Sequence, residues 1–140
     1  MPFLRPNQPL QVVTIDGVNF GLLEPLPFRL RDGRLLRVKL GATTDGLSAP
    51  HFTKYTLQTT NSFYPAVAHD GFYRDCLEIS KDEGVTWSDY PVPRTDEAKD
   101  DADHCLHELA VDNGVTEEMA NVLYFAVQEF GQSAFDKRGK

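Results

Sequence analysis

A histidine and an aspartate stand side by side, His69 and Asp70, in the run AVAHDGFYRDC (residues 66 to 76), and Asp103 follows in KDDADHCLHELA (residues 99 to 110). An imidazole bonded through one ring nitrogen to a carboxylate is fixed in its tautomer. Its other nitrogen is then left to take a proton from water or a hydroxyl, so His69 with Asp103 can form a general-base dyad. Asp70, turned about 100° further round a helix, is free to ligate a hard cation, with Asp45 and backbone carbonyls of GATTDGLSAP (residues 41 to 50) as further oxygens. Ser48 supplies a hydroxyl, and a Ser48, His69, Asp103 triad is conceivable, although no strand, GxSxG and helix elbow surrounds the serine. Each reading has a plainer counterpart. His69 can be a core histidine satisfied by Tyr73 one turn away, with Asp70 solvated. Asp45, Gly46 and Ser48 can be a turn followed by a helix cap. The candidate catalytic set is therefore His69, Asp103, Tyr73 and Ser48, and the candidate metal ligands are Asp70 and Asp45. His104 and His107 lie three apart with Asp100 one turn before, a spacing that suits zinc, but on an outward face without a third strong ligand.

These side chains need elements to carry them. Pro65 suits the first position of a helix reaching about Leu77, on which Pro65, His69, Phe72, Tyr73 and Cys76 share one face. A second helix is expected after Thr95 or Asp96, with acids in its first turn and a stripe of Ala98, Ala102, Cys105, Leu106 and Leu109 bordered by Asp103. Antiparallel pairing of the two would bring His69 to Asp103. A third helix, capped by Thr116 and ended by Gly131, is expected to bury Met119, Leu123, Phe125, Ala126, Val127 and Phe130. Ahead of these lie two hairpin patterns, LQVVTI with VNFGLL around Asp16-Gly17 and PFRL with RLLRVKL around Asp32-Gly33. Pro25 and Pro27 place the chain between them at a break or a sheet edge. Another short helix is compatible with Pro50. The fold class is α+β: N-terminal β-hairpins followed by three to four helices. Residues 78–95 read as a surface excursion whose Trp87 and Tyr90 can pack back on the core, or as a lid.

At 140 residues, residues 1–140 fit one domain able to bury a core without staples. Two cysteines, Cys76 and Cys105, do not make a disulfide framework, and whether they pair is open from the sequence. Residues 75 to 103 hold ten carboxylates against Lys81, Arg94 and Lys99, which equals the net charge of −7 of the whole chain. Such a field repels phosphate backbones and disfavours nucleic acid and anionic membranes. No apolar run is long enough to span a membrane, and none reads as a signal peptide.

The strings GRLLRVKLGATTDGLSAPHF, AVAHDGFYR, AKDDADHCLHELAVDNGV and LYFAVQEFG, in that order over about residues 27 to 131, resemble domain-of-unknown-function family 1353. Thr44, Asp45, Ser48, Pro50, His69, Asp70, Tyr73, Arg74, Ala102 and Asp103 match its pattern. Lys99 stands where that pattern has an arginine, and Leu106 where it has an aromatic. The resemblance implies a bacteriophage or prophage protein, located in the host cytoplasm or the virion, with other phage proteins as partners. Locally, HD-x-x-Y with an aspartate on the next helix is similar to phospholipases of the A-two type. That similarity implies His69 activating water, Asp70 binding calcium and Asp103 orienting the histidine. Ala68 stands where those enzymes often have cysteine, and GATTDGLSAP replaces their glycine-rich loop. Two functions from different classes follow. One is a cation-assisted hydrolase of an ester or amide, with calcium as the expected cofactor. The other is a non-enzymatic virion or assembly protein in which the same cluster is a structural polar network. Open space beside His69 would mark the first, and a closed cluster the second.

Overall fold

Hydrophobic alternation in the first third builds sheets, and the 3.6-residue periodicity beyond it builds helices. The computed structural model describes residue 3 and residues 12–14, 20–22, 25–39, 43–44 and 60–137. Strands β1 (Val12–Thr14), β2 (Phe20–Leu22), β3 (Leu26–Arg29), β4 (Leu35–Val38) and β5 (Thr43–Thr44) precede helix α1 (Thr60–Tyr73). Then come β6 (Leu77–Ser80), β7 (Ser88–Asp89), α2 (Asp96–Asp112), α3 (Glu117–Phe130) and α4 (Gln132–Lys137). The class is α+β. One antiparallel sheet has the order β1-β2-β5 and the other β3-β4-β6-β7.

Both expected hairpin pairings form: Val12 opposes Leu22, and Leu26 opposes Val38. The second turns at Asp32-Gly33, where Gly33 takes φ 99 and the Asp32 carboxylate accepts from the Arg34 N–H at 3.0 Å. Pro27 lies in the edge strand of the larger sheet, where its missing N–H costs the ladder least. Across that sheet, Leu26, Val38 and Leu77 line up, as do Phe28, Leu36 and Ile79, giving the apolar layer on which the helices rest. Helix α1 lies close against it at Gly71, where a Cβ would stand 2.8 Å from Leu77 and 3.1 Å from Val38.

Helix α1 departs from its expected limits. It starts at Thr60, so Pro65 sits inside it, and it stops at Tyr73 instead of reaching Leu77. The stop has a local cause. Asp75 takes the left-handed φ of 54, and the Cys76 N–H folds back to the Gly71 carbonyl at 3.0 Å, closing the last turn as a C-cap does. Leu77 is thereby released into β6. Residues 78–95 divide in two. Their first residues belong to β6, Ser88 and Asp89 form β7, and Val92 is buried in the core, while residues 81–86 are exposed. Trp87 is half-buried under the Arg37 guanidinium at 4.4 Å, and Tyr90 packs against the core.

The helices form the second layer. Thr95 caps α2 by accepting from the Ala98 N–H at 3.2 Å, and Thr116 caps α3 by accepting from Met119 at 3.3 Å. The expected stripe of α2 is buried at Ala102, Cys105, Leu106 and Leu109. On α3, Leu123, Ala126 and Val127 are buried, but Phe125 is 64% exposed, contrary to its expected place in the core. Its position one residue before the Ala126 and Val127 edge turns it outward. Helices α2 and α3 run in opposite senses, since His107 meets Asn121, His104 meets the Tyr124 ring edge-on, and Lys99 reaches the Val127 carbonyl. Among the described residues no helix is long and apolar enough to cross a membrane.

Candidate functional site

Helices α1 and α2 also run in opposite senses. His69 meets Asp103, while Ala66, earlier on α1, joins the cluster of Leu106 and Ala110, later on α2. The result is a buried polar cluster in the helical layer. His69 Nε2 lies 2.8 Å from Asp103 Oδ1, and both side chains are fully covered. The Tyr73 hydroxyl donates to the same oxygen at 2.7 Å. It bonds the carboxylate, so the plainer reading in which Tyr73 satisfies the histidine gives way to one in which both serve Asp103. The two rings pack with centroids 4.1 Å apart.

The other carboxylate oxygen is held as well. Asp103 Oδ2 accepts from Lys99 Nζ at 2.7 Å and from Gln128 Nε2 at 2.6 Å. Burial pushes the Asp103 carboxyl upward. The His69 hydrogen bond and charge, followed by the Lys99 and Tyr73 hydrogen bonds, outweigh it and hold the group below the ordinary carboxylate range. Asp103 is therefore an ionised acceptor, and the proton in the pair sits on His69 Nε2. In a neutral imidazole that leaves Nδ1 bare, and Nδ1 is buried with no hydrogen-bond partner among the described residues. A buried polar atom left in that state costs about 1 to 3 kcal/mol, which a purely structural cluster has reason to avoid.

Distant groups hold this arrangement in place. The Arg94 guanidinium donates to the carbonyls of Tyr73 at 2.7 Å, Phe135 at 2.9 Å and Val92 at 2.9 Å, tying the end of α1 to α4 and to the segment before α2. It also lies over the Phe135 ring at 4.1 Å. Gly131 leaves room for the Tyr73 hydroxyl, since a Cβ there would stand 2.6 Å from it.

Of the expected site residues, the structure brings together His69, Tyr73 and Asp103. Asp70 is 1% exposed, so it is buried and not solvated. Asp45 and Ser48 lie outside the described residues, as does the expected turn and short helix around them. Among the described residues no group of three or more His, Cys, Asp or Glu side chains is arranged to hold a metal ion. Cys76 and Cys105 are free thiols, raised to about 11 and about 12 chiefly by burial. Sequence reasoning missed Lys99 and Gln128 as members of the cluster. Lys99 was visible in one respect: it stands four residues before Asp103, on the same helical face. Gln128 had no such signal.

A cleft of about 460 Å³ opens beside the cluster, lined by Asp96, Glu97, Lys99, Asp100, Gln128 and Gln132. It reaches the carboxylate side through Lys99 and Gln128, while the imidazole itself is closed over.

A family model described as "Protein of unknown function (DUF1353)" matches residues 20–127, more than half of the chain. No curated protein and no solved structure matches.

Proposed function

The chain belongs to the DUF1353 family, whose description assigns no activity, and from the site itself we propose a hydrolase of an ester or amide bond with His69 as general base. One observation carries the reading. The imidazole is tethered through Nε2 to an ionised, fully hydrogen-bonded carboxylate, and its opposite nitrogen, Nδ1, an acceptor in the neutral ring, has no partner among the described residues. Asp103 orients the ring and stabilises the imidazolium that forms as Nδ1 takes a proton from the attacking water, and Tyr73 steadies Asp103. The cover over His69 has to open for substrate to reach it, since the side chain is fully buried.

Calcium enters this proposal through Asp70, a buried carboxylate next to the base. Bound there, with Asp45 as a further ligand, it would polarise the carbonyl under attack. Ser48 remains a candidate nucleophile. The similarity of the helix pair to phospholipases of the A-two type makes carboxylic esters the first substrates to try. A phage or prophage origin, and work in the host cytoplasm or virion, belong to the same proposal.

A second reading is favoured by the closure of the cluster: a non-enzymatic virion or assembly protein whose core the network specifies. Aryl esters and phospholipid vesicles, each with and without calcium, separate the two. Turnover lost in His69→Gln, with the fold retained, supports the hydrolase. A calcium-dependent rise in melting temperature that Asp70→Asn abolishes supports the cation. Turnover unchanged in His69→Gln, or none with any ester or amide offered, favours the structural protein.

A further inference from the structure

A carboxylate offers about four acceptor positions on its two oxygens, and at Asp103 all are taken: Oδ1 by His69 and Tyr73, Oδ2 by Lys99 and Gln128. The oxygens are divided by direction, Oδ1 toward α1 and Oδ2 toward Lys99 and α3. We infer that Lys99 is a positioning residue for the base, its ammonium holding Oδ2 so that Oδ1 is presented squarely to His69 Nε2. The inference rests on the dyad reading and adds a residue to it.

Three observations support it. Lysine is almost never fully buried unless paired, yet Lys99 is 5% exposed. Its head group is fixed from two sides, by Asp103 Oδ2 at 2.7 Å on its own helix and by the Val127 carbonyl at 3.2 Å on α3. Lastly, of the donors on Asp103, Gln128 and Tyr73 are neutral, so Lys99 is the lysine or arginine side chain bonded to the carboxylate, on the oxygen opposite the one His69 meets. Without the ammonium, Oδ2 would keep, among the described residues, only Gln128, and the carboxylate would be freer to turn about its Cβ–Cγ bond.

The test is proton NMR of the full chain, reading the His69 Nε2–H resonance, which a hydrogen bond to a carboxylate shifts downfield and burial protects from exchange. Lys99→Met keeps the length and removes the charge. The expected result is an upfield shift with exchange at least about tenfold faster, as loss of a charge-assisted bond implies, and retention of the resonance in Lys99→Arg. A resonance unmoved in folded Lys99→Met overturns the inference and leaves the dyad standing. Loss in Lys99→Arg as well overturns it too, because held charge would then not be the determinant. Should Lys99→Met fail to fold, Lys99→Gln is read by the same criterion. Absence of the resonance in the unmodified chain overturns the dyad, and this inference with it.

Discussion

At the scale of single residues, the site is, among the described residues, a carboxylate with four donors and an imidazole with one bond. Removing either partner strands the other, so His69→Ala and Asp103→Ala should be non-additive in stability by about 1 kcal/mol or more in a double-mutant cycle. Urea unfolding of the four forms measures this. Energies that add within about 0.3 kcal/mol would mean the two do not touch. The depressed Asp103 carboxyl has its own consequence. A group whose folded pKa lies below its unfolded value of about 3.9 contributes stability that is present above that value and lost as pH falls through the folded one. In Asp103→Asn the chain should be less stable at neutral pH and should lose stability less steeply below about pH 4, as a pH series of unfolding curves would show.

At the scale of elements, three helices meet at one point because glycine lets them. Gly131→Ala would place a Cβ 2.6 Å from the Tyr73 hydroxyl and 2.5 Å from the Val127 carbonyl. The expected cost is about 1 to 3 kcal/mol, typical of overpacking, and adding Tyr73→Phe should return part of it by removing the hydroxyl. No recovery in the double variant would place the strain elsewhere. The elements also show what the sequence made legible. Periodicity and caps located α2 and α3, because Thr95 and Thr116 each sit one residue before a helix with acids in its first turn. The Asp-Gly turn and its flanking alternation located β3 and β4. The end of α1 was not legible, since an aspartate at φ 54 does the work usually given to glycine. His69 and Asp103 were found by their faces, but Lys99 and Gln128 joined the cluster through contacts between α2 and α3 that no local pattern encodes.

At the scale of the whole molecule, the acidic segment before α2 is anchored by Ser80, Val92 and Arg94 and is exposed throughout its tip, residues 81–86. Shortening residues 81–86 should leave the melting temperature nearly unchanged, whereas deleting through Val92 and Arg94 should unfold the chain. The first removes exposed residues, and the second removes a core residue and the clasp on α1. For His69 to act as a base the molecule must open, because that side chain is closed over in this structure. Alkylation by an α-haloketone, with the modified histidine located by mass spectrometry, tests that most directly. The nitrogen displaces the halide and forms a C–N bond, so the reaction reports a bare nitrogen that a small molecule can reach. The account predicts modification of His69 at Nδ1, slowed in Asp103→Asn relative to the exposed His104. Labelling of His104 and His107 with His69 untouched, over hours in the folded protein, would contradict it.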